Sequence, residues 1–220
     1  MTPSPECSEH ERSVELARAL VVGQAKSRAE TLLKGYLSNY DGRLFDSALN
    51  HDHSDQITSE DLAALRFLSV GVSPTIKDRL LEPPLNMRIT ELLQQIPIDR
   101  DIWTISAEEF EVVLGDKSPA RELWNVLKAA LKWNPRWSGR AVTAGKLVHG
   151  KRPRLIPIFD SEVQAALRPP RGQFWRTMWC VMRDEPVREA LTAIQRAVPA
   201  ASDLSLLRVM DIVAWRSRGK

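Results

Sequence analysis

Helix-opening signals recur along this chain, and they constrain its fold more than any other feature. Thr58-Ser59-Glu60-Asp61 sets a hydroxyl ahead of first-turn acids, which satisfies free N–H groups and suits the helix dipole. Ser73-Pro74 and Ser118-Pro119 each put proline at a first helical position, where its missing N–H is not needed. Ser106 and Glu109 have capping-box spacing, with Gly115 beyond them. Asp160, followed by Glu162, opens one more. Between these signals apolar residues recur at helical intervals: Leu123, Val126, Leu127, Ala130 and Leu131 form one stripe, and Leu206, Leu207, Met210, Val213 and Ala214 another. There is no period-2 ladder, no Asn-Gly hairpin and no internal repeat. The expectation is an all-α fold, a single multi-helix domain over residues 1–220. Residues 1–57 supply an N-terminal helix and a polar loop, 58–168 a core, and 169–220 the C-terminal helices. Residues 10–36 read as helix, broken at Gly23. Residues 139–149 read as a short helix stopped by Gly150, and KRPRLIPIF as extended, because residues ahead of proline are pushed out of the α region.

The distribution of charge is uneven. Residues 1–116 hold 11 Lys and Arg against 20 Asp and Glu, a net of −9, whereas residues 117–220 hold 20 against 8, a net of +12. From Lys117 to Arg154 ten cations face a single acid, Glu122. Two readings stand open: a surface for a polyanion, of which nucleic acid is the commonest, or two halves that neutralise each other where they pack.

No run of 18 apolar residues exists, so no membrane span is expected. The N-terminus lacks an apolar segment of the secretory type. Cys7 and Cys180 are too few for a disulfide framework or for four thiolate ligands, and the expectation is a reducing, cytoplasmic setting with no cofactor. Asn50-His51-Asp52-His53-Ser54-Asp55 has ligand chemistry, but its spacing is too local for a closed site and it reads as a solvated loop. Trp124, Trp133, Trp137, Trp175 and Trp179 lie near the basic stretch, either to stack bases or to fill a core. P-loop, nucleophile-elbow and HExxH motifs are absent.

Gly139-Arg-Ala-Val-Thr-Ala144, followed by Ile156-Pro-Ile-Phe-Asp160 and Ser161-Glu-Val163, resembles the helix–hairpin–helix DNA glycosylase superfamily. That family has a glycine-bearing hairpin, a Thr-Ala at the start of its second helix and a catalytic Asp heading the next helix. The likeness covers about residues 60–165. The chain as a whole resembles a bacterial family of unknown function with a KRPxLxPIxD motif. The glycosylase resemblance implies that Asp160 is the catalytic carboxylate, stabilising oxocarbenium character on the sugar. It implies that Gly139, Arg140, Thr143, Lys146, Lys151, Arg152 and Arg154 hold the nucleic-acid backbone. Val142 stands where bifunctional members place a lysine, so the implied enzyme is monofunctional. The expectation is therefore a nucleic-acid-binding protein, DNA ahead of RNA, acting on a damaged or modified base. The alternatives are a noncatalytic nucleic-acid-binding module, or a protein-interaction or regulatory domain, of a toxin- or phage-defence-associated kind, with an acidic protein partner.

Overall fold

Gly23, at φ +63°, divides the long N-terminal helical stretch in two, adopting the left-handed conformation that glycine enters without steric cost. In the computed structural model, which describes residues 5–132 and 139–219, twelve α-helices follow in chain order. They are α1 (Glu11–Val21), α2 (Ala25–Asn39), α3 (Ser59–Ala64), α4 (Pro74–Leu81), α5 (Leu85–Gln94) and α6 (Ala107–Val113). The others are α7 (Pro119–Ala130), α8 (Arg140–Lys151), α9 (Ser161–Leu167), α10 (Phe174–Arg183), α11 (Glu185–Ala197) and α12 (Leu206–Arg216). Short 3-10 turns join some of them, and no strand forms among the described residues.

The opening signals are realised as caps. Thr58 and Asp61 exchange side-chain and backbone bonds in a capping box at α3, as do Ser106 and Glu109 at α6. Ser73, Ser118 and Asp160 accept from backbone N–H groups of α4, α7 and α9. Asp184 and Ser205 do the same for α11 and α12.

The chain divides into two compact units. One unit comprises residues through Tyr40, Asp101–Ile105 and the chain from Phe159. Its central helix is α12, against which α2, α9, α11 and α1 pack. Every residue from Leu207 to Ala214 is buried, so this helix is enclosed all round rather than along one stripe. That burial takes in Arg208 and Asp211, which pair at 2.5 Å, while Arg208 Nη2 donates to the Tyr36 hydroxyl at 2.8 Å. A buried pair is tolerated only when its remaining groups find partners too. Arg18 of α1 forks onto Asp184 through Nε and Nη2, at 3.0 and 2.5 Å. Cys7 and Cys180, which sequence alone left as two isolated cysteines in a reducing setting, are joined in a disulfide.

The second unit comprises Asp41–Arg100 and Ser106–Ile158. Here α8 is the enclosed helix, buried from Thr143 to Lys151 although its sequence, TAGKLVHGK, is not apolar. It packs beside α7 and α3, and α7 in turn against α5 and α4. Gly150 does not stop this helix. A Cβ there would lie 2.9 Å from Leu49 Cδ2, so glycine lets Leu49 close against the last turn. The KRPR segment is not extended either. Leu155 N and Ile156 N both donate to the Arg152 carbonyl, at 3.1 and 2.9 Å, folding residues 152–156 into a turn; the chain runs straight only from Pro157.

Candidate nucleic-acid interface

Helix α7 buries Ala120, Leu123, Leu127 and Ala130 on one face and sets Arg121, Trp124 and Lys128 at i, i+3 and i+7 on another, where helical neighbours meet. The Lys128 Nζ lies 4.1 Å from the Trp124 ring centroid and the Arg121 Cζ lies 5.6 Å from it. Trp124 Nε1 donates to the carbonyl of Ala141 at 3.1 Å, which ties the indole to the first turn of α8 beside Arg140. Glu122, the one acid in the basic stretch, is taken by Arg88 of α5. Asp116 stands 3.7 Å from Arg121. Burial pulls the Arg121 guanidinium below its ordinary value, with Asp116 opposing.

The residues of α8 mostly turn inward. Thr143 is buried, its hydroxyl donating to the Gly139 carbonyl at 3.0 Å. Lys146 Nζ donates to the Leu68 carbonyl at 2.9 Å. Lys151, 4% exposed, pairs with Asp61 at 2.5 Å and donates to the carbonyls of Asn50 and His53 at 3.1 and 3.2 Å. Burial lowers its pKa and Asp61 works against that shift. Arg152, 1% exposed, reaches five acceptors. Nε donates to Ile96 O, Nη1 to Ser54 O and Lys151 O, and Nη2 to Leu93 O and Asp55 Oδ1, all within 2.8 Å. The guanidinium has five N–H groups, so each is used. By contrast Gly139 and Arg140 are half-buried, and Arg154, Lys117 and Lys132 are exposed.

Asp160 belongs to the other unit. It is half-buried, and its Oδ1 accepts from Glu162 N at 2.8 Å. Trp175 and Trp179 are core residues of that same unit, with Trp179 Nε1 donating to the Ile105 carbonyl at 3.1 Å. Trp133, Arg136, Trp137 and Ser138 lie outside the described residues. His51 and His53 are exposed and bond locally, to the Asp46 carbonyl and the Asn50 side chain. Among the described residues no group of three or more His, Cys, Asp or Glu gathers into a metal cage. The loop instead offers its carbonyls to Lys151 and Arg152.

Sequence reasoning missed Asp55 and Asp61 as partners of these cations. Asp61 was legible only as a first-turn acid, and nothing local announces a pairing ninety residues away. The model of a family of unknown function (DUF6308) matches residues 29–218. No curated protein and no solved structure matches the chain.

Proposed function

The chain belongs to this family of unknown function, and we propose that it is a noncatalytic DNA-binding protein gripping the sugar–phosphate backbone through α7 and the head of α8. The observation that carries this reading is the Arg121–Trp124–Lys128 cluster, tied to Ala141 and adjacent to Arg140. A cation held over an aromatic ring has lost rotamer freedom in advance, so less is forfeited when it meets a phosphate. With two cations against the ring, the indole's part is to aim charge rather than to stack a base. Phosphate contacts position a duplex without reading its sequence, and no base selectivity is therefore expected.

Of the residues that the glycosylase resemblance singles out, Gly139 and Arg140 remain in the contact set, while Arg154 is exposed beyond the far end of α8. Thr143, Lys146, Lys151 and Arg152 serve internal acceptors. The reading needs no catalytic acid, and Asp160 is engaged as the cap of α9.

Each phosphate contact adds about 0.9 to the slope of log K against log salt for a duplex. Titration of a labelled duplex at several salt concentrations should give a steep slope. Lys128→Ala and Arg140→Ala should each lower it by about one and weaken all sequences alike. Asp160→Asn should leave binding intact, and no base should be released by either protein. A duplex that does not bind at about 50 mM salt, or slopes unmoved by both α7 and α8 variants, refutes the proposal.

A further inference from the structure

The segment Pro5–His10 is a 3-10 turn that precedes the residues matched by the family model, and it docks along one edge of α10. Gln173, Thr177, Cys180 and Arg183 lie at spacings of four, three and three, so they share a helical face. Each meets a residue of the segment. Gln173 Nε2 donates to Glu9 at 3.5 Å, His10 Nδ1 meets Thr177 Oγ1 at 3.0 Å, and Arg183 Nη1 donates to Glu6 at 3.1 Å. Cys7 is bonded to Cys180. Thr177 Oγ1 also donates to the Gln173 carbonyl at 3.0 Å, so it accepts from His10, whose Nδ1 carries the proton.

Apart from the covalent bond, the strap meets this edge of α10 through side-chain hydrogen bonds and one ion pair. Among its residues from Glu6 onward only Cys7 and His10 are buried, and exposed ion pairs such as Glu6–Arg183 contribute little. The core of the unit does not depend on the strap, because α12 is enclosed by α1, α2, α9 and α11.

We propose that Cys7–Cys180 is a reversible thiol–disulfide latch whose reduction frees the strap from α10 while the rest of its unit stays folded. The reductant is a dithiol. One of its thiolates attacks a cysteine sulfur, the Cys7–Cys180 bond breaks and a mixed disulfide forms. The second thiolate then displaces the protein sulfur. Two electrons pass to the cysteines, which leave as thiols after taking two protons, and the dithiol closes into its own disulfide. Both cysteines are buried while the strap is docked, so the attacking thiolate needs a local fluctuation that uncovers one sulfur, and release of the strap follows cleavage. Release also removes Glu6 from Arg183 and from the field of Arg176, leaving the outer edge of α10 more cationic.

Amide exchange before and after treatment with dithiothreitol tests the latch. Exchange across residues 5–10 should accelerate at least about ten-fold on reduction while α12 keeps its protection, and oxidised glutathione should restore the original pattern. Cys7→Ser should show the reduced pattern without reductant. The proposal falls if the segment stays protected after reduction or in Cys7→Ser. It falls equally if α12 loses protection together with the strap, since the bond would then be a staple of the whole unit. Two free thiols titrating in the native, unreduced protein would overturn it as well.

Discussion

Asp61→Asn is the sharpest probe of the second unit. The Asp61 carboxylate accepts from Lys151 Nζ at 2.5 Å, from Thr58 N and Thr58 Oγ1 at 2.8 and 3.1 Å, and from Asn50 N at 3.1 Å. Three of those four bonds end on Oδ2. An amide nitrogen placed there turns an acceptor into a donor facing Lys151 and Thr58, and the buried ammonium retains only two carbonyls. Breaking a buried ion pair by removing one partner costs about 3–5 kcal/mol, and weakening the reciprocal half of the capping box adds up to about 1 kcal/mol. Against a total stability of about 5–15 kcal/mol, the variant should lose a large share, with a midpoint lower by roughly 10 °C or more. Lys151→Met should cost less, because Asp61 keeps three donors whereas Lys151 without Asp61 keeps only the weaker influence of Glu60. Thermal and urea unfolding of both single variants and the double variant would measure the coupling, with amide exchange along α8 assigning the loss to this unit. An Asp61→Asn protein within about 1 kcal/mol of wild type, or single losses that simply add, would refute the account of α8 as a helix whose burial depends on this pair.

Gly150→Ala should be neutral at best and destabilising by up to about 2 kcal/mol in the wild-type background. Relieving the contact with Leu49 costs about 1–3 kcal/mol, while replacing a helical glycine returns up to about 1 kcal/mol. In a Leu49→Ala background only the second term remains, so urea midpoints should show Gly150→Ala as stabilising there. Acidification should loosen the N-terminal strap through His10. Burial lowers its pKa from 6.5, with Arg176 adding to that and Glu9 and Gln173 opposing. The unfolded histidine therefore binds a proton at pH values where the folded one does not. Its contribution is whole above about 6.5 and fades as pH falls through the folded value. Exchange of residues 5–10 should then rise between pH 7 and 5, after correction for intrinsic rates, and His10→Gln should lack that rise.

What was legible in the sequence was local. The caps at Thr58, Ser73, Ser106, Ser118 and Asp160 each join groups two or three residues apart, so a short window holds the whole interaction. The all-helical class follows from the same short-range information. Gly150 was misread because a glycine after an apolar run looks like a stop, whereas the neighbour that requires it, Leu49, lies a hundred residues upstream. The Cys7–Cys180 bond spans a separation of 173 residues, which no pattern of spacing exposes. The enclosure of α8 and α12 was hidden for a different reason. Each carries ionisable residues that a hydropathy argument assigns to water; Lys151 finds its countercharge in distant Asp61, and Arg208 pairs with Asp211 on its own helix and reaches distant Tyr36.

That distinction also decides how the basic stretch is to be read. Counting charges treats every lysine and arginine as outward, yet burial of a cation demands compensation, and the acid-rich half supplies it within the second unit. Lys151 and Arg152 take Asp61 and Asp55, so part of the positive excess is cancelled internally. The two readings of the charge asymmetry therefore apply to different residues. Among the inward cations Lys151 and Arg152 neutralise acids and Lys146 takes a carbonyl, and those at Lys117, Arg121, Lys128, Lys132, Arg140 and Arg154 have at least part of their surface in solvent. A long-range field is set mainly by the outward set, so within the basic stretch the uncancelled positive charge lies on α7 and at the two ends of α8. The KRPR turn acts on that surface only indirectly, by anchoring the helix that Trp124 grips at Ala141.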